Sequence, residues 1–120
     1  SPIMNYKISK SLKVIEKKNN EKKQKNYYNN KAKASINDRI LANTSSGAYT
    51  ITLPANAGLL VSDTIQIIDI SNNASSNNLT IGRNGSKING ASEDLTIDVN
   101  GAIVSLIYTG TTYGWVVGAV

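Results

Sequence analysis

From Ser35 onward the apolar residues of the chain recur at every second position. "AYTITLP" (48–54) sets Tyr49, Ile51 and Leu53 on one face and Thr50 and Thr52 on the other, and Pro54 ends the run. Alternation at that period, carried by β-branched residues, predicts a half-buried strand. "DTIQIIDI" (63–70) alternates through Ile65 and Ile67 and then changes phase at Ile68 and Ile70. That shift predicts a bulge or a strand covered on both faces. "NLTIGR" (78–83) and "DLTIDV" (94–99) predict two more half-buried strands, "AIVSLIYTG" (102–110) is the most apolar, and "YGWVVGAV" (113–120) predicts the last.

Three Asn-Gly pairs punctuate these strands: Asn84-Gly85, Asn89-Gly90 and Asn100-Gly101. Asn-Gly favours two-residue turns in which both central residues take positive φ. "GRNGSK" and "DVNGAI" therefore predict tight hairpins, and "INGAS" a hairpin or short loop. "SNNASSNN" (71–78) is a longer polar loop, expected to be the most exposed tip. Short strands with turn signals at this spacing predict an all-β fold, an antiparallel β-sandwich or jelly-roll-like module, with a small barrel as a variant. A β-solenoid competes because "LTI" recurs at 79–81 and 95–97, but two copies make too weak a repeat to prefer it.

The first third of the chain is a different polymer. Residues 1–39 carry ten Lys and one Arg against Glu16, Glu21 and Asp38, a net charge of +8, whereas residues 40–120 carry a net −3. The expected organisation is a basic anchoring arm over 1–39 and a β module over 40–120. Ile8, Leu12 and Ile15 fall at i, i+4 and i+7, so the extended arm is expected to be partly helical around residues 8–18. That stripe is too short to hold a helix alone in water. An arm of this charge suits an acidic protein surface or a phosphate backbone. Tyr27 and Tyr28 could stack on nucleic-acid bases. With one Arg and no recognised nucleic-acid module, docking to a protein is the preferred reading. The residues expected to anchor it are Ile8, Lys10, Leu12, Lys13, Ile15, Lys17, Lys18, Lys22, Lys23, Lys25, Tyr27, Tyr28, Lys31 and Lys33.

Little in the chain is built for chemistry. It has no Cys and no His, which removes thiolate nucleophiles, disulfides, zinc-thiolate sites and the usual general base. Nothing in the spacing of Asp63, Asp69, Glu93, Asp94 and Asp98 brings a carboxylate pair across a cleft, as a glycosidase needs. Asp69, within a strand, is expected to point outward or into an interface. "DVNG" holds only part of a calcium loop, and the glycines at 82, 85 and 90 precede no helix that could cap a pyrophosphate. Arg83 and Lys87 flank a turn, where they keep an exposed hairpin soluble or meet an acidic partner or glycan. No enzyme activity, cofactor or metal is expected. No run of eighteen apolar residues predicts a membrane-spanning helix, and residues 1–30 lack a secretory-signal pattern. Ser1-Pro2 fits removal of an initiator Met or processing from a longer chain.

Residues 49–117 resemble a module of tailed-bacteriophage structural proteins. The shared order is Tyr49 and its Thr/Leu strand, Pro54, an Asp-opened apolar strand, an Asn-rich loop, "NLTIGRNGSKING", a Leu-Thr strand, "VSLIYTG" and Gly114-Trp115. The sequence departs at Ser62-Asp63, where Gly-Asp is usual. The resemblance implies a virion fibre, spike or head-decoration protein, commonly homotrimeric, with Tyr108, Tyr113 and Trp115 as candidate subunit contacts. A chain of 120 residues with one module and one arm suits a capsid decoration, cement or small head-fibre protein, assembled in the host cytoplasm and bound to the major capsid protein or another virion protein. The alternative is a tail-fibre or spike fragment that binds host surface glycan.

Overall fold

The computed structural model describes residues 27–119, all of them strand, turn or loop. Eight strands form: β1 (Tyr27–Asn29), β2 (Arg39–Ala42), β3 (Tyr49–Thr52), β4 (Thr64–Asp69), β5 (Leu79–Gly82), β6 (Leu95–Ile97), β7 (Ile103–Tyr108) and β8 (Trp115–Ala119). They make a five-stranded sheet in the order β1-β2-β4-β7-β8 and a three-stranded sheet in the order β3-β5-β6. The expected partly helical arm, with Ile8, Lys10, Leu12, Lys13, Ile15, Lys17, Lys18, Lys22, Lys23 and Lys25, lies outside the described residues.

Both sheets are mixed, which corrects the antiparallel expectation. β1 pairs with β2, β2 with β4 and β3 with β5 in parallel, whereas β4–β7, β7–β8 and β5–β6 are antiparallel. The parallel pairs arise because the chain alternates between sheets. It runs from β1 past Lys33, which bridges to Thr52 of the smaller sheet, into β2, then through β3, β4 and β5, changing sheet each time. This is the connectivity of a winding coil, followed by an antiparallel return through β6, β7 and β8. The "LTI" repeat plays no part in that winding: Leu79 faces Ile97 and Ile81 faces Leu95 across an antiparallel pair.

Inward residues of both sheets share one core. Ile40, Ile65, Ile67, Leu106 and Trp115 come from the larger sheet, and Ile51, Leu79, Ile81 and Ile97 from the smaller. Tyr108 and Trp115 meet edge to face at 5.4 Å between ring centroids. The core begins before the expected module boundary. Ala34 and Asp38 are buried, and β1 adds a strand N-terminal to residue 39.

Only one Asn-Gly pair makes a minimal hairpin. Ile88 and Ala91 exchange both backbone hydrogen bonds at 3.0 Å around Asn89 (φ 49°) and Gly90 (φ 77°), the conformation for which this pair is suited. This hairpin also covers the outer edge of β8. Asn89 N–H donates to Trp115 O at 2.7 Å, and its Oδ1 accepts from Val117 N–H at 3.0 Å. Edge groups that would template another strand are thereby used. Asn84-Gly85 forms a turn (φ 48° and 91°) at the start of the long connection from β5 to its antiparallel partner β6, so it is not itself a minimal hairpin between them. Asn100-Gly101 carries the chain from β6 in one sheet to β7 in the other, with positive φ at Gly101 alone, so "DVNGAI" is a crossover and not a hairpin.

Candidate functional site

β4 contains no phase shift. Its inward positions are Ile65, Ile67 and Asp69, while Ile68 is half-buried on the outer face and Ile70 is exposed beyond the strand. Asp69, expected to point outward or into an interface, is instead buried within the chain's own fold, 4% exposed. Its Oδ2 accepts from the backbone N–H groups of Asn73, Ala74 and Gly101, each at 3.0 Å, and its Oδ1 from the Ser71 hydroxyl at 2.9 Å. Burial pushes this carboxyl upward, but the donors from Gly101, Ala74, Ser71 and Asn73 outweigh that and hold it below the ordinary carboxylate value. The 71–78 loop is consequently clamped, which corrects its expectation as the most exposed tip. Ala74 is fully buried, Ser75 N–H donates to Asn100 Oδ1 at 2.8 Å, and Asn77 Nδ2 donates to Thr44 O at 2.7 Å.

Of the expected anchoring residues, Tyr27, Tyr28 and Lys31 fall at the β1 edge of the larger sheet, whereas Lys33 bridges to Thr52 of the smaller. Tyr27, Tyr28 and Lys33 are exposed, and Lys31 is half-buried. Lys31 Nζ lies 4.0 Å from the Tyr28 ring centroid and pairs with buried Asp38 at 2.6 Å. The Arg39 guanidinium sits 5.7 Å from the Tyr27 ring. The Asp38 carboxylate also accepts from Ser35 N–H at 2.7 Å, which ties the connection between β1 and β2. The edge thus presents two aromatic rings with cations beside them.

The three aromatic residues considered for subunit contacts separate. Tyr108 and Trp115 lie inside the chain's own core, and only Tyr113 is open, at 64%. Its backbone O accepts from Gly90 N–H at 2.8 Å, and a Cβ added at Gly90 would lie 3.5 Å from the ring. The exposed ring therefore sits over the Asn89-Gly90 hairpin. Two further surface features were not legible from the sequence. An apolar groove of about 450 Å³ runs beside β6, floored by Leu95, Ile97, Val104 and Val117. A smaller cavity of about 140 Å³ lies between the Arg83–Lys87 turn and the Gly110–Thr111 loop, with Tyr108 also in its wall.

Among the described residues, no three carboxylates converge as a metal site would require. Asp63 closes its own turn by accepting from Leu60 N–H at 2.7 Å, and Asp94 accepts from Arg83 N–H at 3.0 Å. Among the described residues, three buried side-chain polar atoms have no protein partner: Tyr49 OH, Ser86 Oγ and Trp115 Nε1. Burial raises the Tyr49 phenol above its ordinary value. Among the described residues no helix is long and apolar enough to cross a membrane. Compared with protein-family models and with curated proteins, the chain matches none.

Proposed function

We propose that this protein is a non-enzymatic structural component of a phage virion, a capsid decoration, cement or small head-fibre protein. Its two mixed sheets would form a sandwich-like module, and the basic arm would anchor it to the major capsid protein or another virion protein. The observation that carries this reading is the charge split, +8 over residues 1–39 against −3 over residues 40–120. Opposed charges on one small chain favour a fixed orientation on an acidic surface. The β1 edge, where the arm enters the sheet, adds exposed Tyr27 and Tyr28 to that basic face. A bridging arm would stabilise the shell by binding the assembled state preferentially. The homotrimer belongs to the same proposal. Its support is now the apolar groove beside β6, since Tyr108 and Trp115 are used internally.

The test is cosedimentation with phage capsid shells. The full chain is compared with a full-length variant in which Lys10, Lys13, Lys17, Lys18, Lys22, Lys23 and Lys25 are replaced by Gln. Loss of sedimentation in the variant, and salt-sensitive binding by the wild type, is the expected result. Equal binding by both overturns the anchoring role. Light scattering of the full chain tests the trimer, and a monomer at micromolar concentration overturns it.

A second reading, a tail-fibre or spike fragment that binds host glycan, is favoured by one observation. Tyr113 exposes its ring beside the Asn89-Gly90 hairpin, an arrangement suited to stacking on a sugar face. A glycan array with Tyr113→Ala as control tests it, and absence of any Tyr113-dependent binder removes it.

A further inference from the structure

Ser86 is the residue whose surroundings the virion reading leaves unexplained. Its side chain is 5% exposed and its hydroxyl has no protein partner. Leaving a buried hydroxyl unpaired is unfavourable, so such a group calls for a water, an ion or a ligand. Ser86 lines the cavity of about 140 Å³ between the Arg83–Lys87 turn and the Gly110–Thr111 loop. That volume exceeds what one water needs and accommodates a small ion with part of its hydration.

The lining has one sign of charge. Arg83, Ser86, Lys87, Asn56, Ser92 and Thr111 all contribute, and no carboxylate does. Arg83 is positioned by the fold: its backbone N–H donates to Asp94 Oδ1 and its Nη1 donates to Ser86 O, both at 3.0 Å. The first contact anchors the Arg83 backbone, and the second holds the guanidinium while leaving it further donors. Among the described residues, neither Arg83 nor Lys87 forms an ion pair. The turn that brings them together depends on the left-handed Asn84 and Gly85.

We propose that this cavity is an oxyanion-binding site, taking a phosphate or a carboxylate. Arg83 and Lys87 supply the charge, and the Ser86 hydroxyl donates the hydrogen bond it otherwise lacks. Charge-assisted bonds of this kind favour an oxyanion over a neutral polar ligand. Two sources share the chemistry: a free inorganic anion, or the acidic group of a saccharide. The site does not depend on the capsid role. Tyr113 follows Thr111 in the same loop, so an acidic sugar held in the cavity would bring the glycan chain near the exposed ring.

The experiment is an amide NMR titration of the full chain at constant ionic strength, with inorganic phosphate, galacturonate, methyl galactoside and chloride in separate arms. Saturable shifts at Ser86, Lys87, Gly110 and Thr111 with phosphate or galacturonate are expected, with affinity on the order of 1 mM. Ser86→Ala and Lys87→Gln should each weaken that binding by about three- to tenfold. Phosphate binding alone assigns the site to a free anion, and tighter galacturonate binding assigns it to an acidic glycan. Shifts that chloride or methyl galactoside reproduces overturn the proposal. So does unchanged affinity in Ser86→Ala. The same variant should melt at or above the wild-type temperature, because it removes an unpaired hydroxyl. A clear fall would show that the hydroxyl is already satisfied structurally, and would also overturn the assignment.

Discussion

Replacing Asp69 by Asn tests whether one buried carboxylate organises an end of the molecule. In the wild type a single oxygen, Oδ2, accepts three backbone N–H groups, from two separate loops, while Oδ1 accepts from Ser71. Asn keeps the shape and one acceptor. It loses the charge that makes each bond about twice as strong as a neutral one. With the amide oxygen placed toward the three N–H groups, its NH₂ meets the Ser71 hydroxyl, which can turn to accept. The cost is then the charge assistance alone, about 1–3 kcal/mol, whereas Asp69→Ala removes the acceptor of all three N–H groups, strands the buried one of Ala74, and should cost about 3–5 kcal/mol. Urea unfolding followed through the single, fully buried Trp115 reads both. The pH dependence supplies a second test. Because the folded carboxyl sits below its unfolded value of about 3.9, its contribution is present above that pH and is lost as pH falls through the lower folded value. The gap between wild type and Asp69→Asn should therefore narrow on acidification below about pH 4. An Asn variant within about 0.5 kcal/mol of wild type at neutral pH, or a gap that does not narrow in acid, would refute the clamp.

Gly114 has φ 70°, and a Cβ there would lie 2.0 Å from Lys87 O, so Gly114→Ala should cost at least about 3 kcal/mol. Gly58→Ala, at φ 87° in open space, should cost about 1 kcal/mol. Thermal melts of the pair separate steric collision from backbone strain, and equal losses contradict the collision. Lys31→Ala leaves buried Asp38 with only its Ser35 N–H donor and should cost about 1–2 kcal/mol, measured by urea unfolding. Removing residues 1–26 should leave the melting temperature within about 3 °C of wild type, since every described strand survives. Removing residues 1–39 takes away β1, Ala34 and Asp38 and should lower it far more; similar melts would show that β1 contributes nothing.

The sequence by itself determined six of the eight strands, β3 to β8, and their buried faces, whereas β1 and β2, too short and too close to the basic arm to show an alternation, were not legible. Alternation at Tyr49–Leu53, Ile65–Ile67 and Leu79–Ile81 specifies local burial, because successive side chains of a strand point to opposite faces. Asn-Gly likewise predicted positive backbone angles, which depend on the residue and its immediate neighbour and are found at every position of the three pairs except Asn100. Which strands pair is a different kind of information. Parallel partners such as Arg39 and Gln66, or Tyr49 and Leu79, are far apart in the chain, and the connections between them differ in length, so no repeat betrays the winding. Sequence charge also misplaced Asp69. A carboxylate is expected outside unless donors surround it, and the donors here come from residues 71–74 and from Gly101 on the far side of two strands. The 140 Å³ cavity has the same origin: Asn56, Ser86 and Thr111 carry no shared motif and become neighbours only after the sheets close. Local propensity fixes what each segment is, while burial and hydrogen-bond satisfaction between distant segments decide where it goes and what it meets.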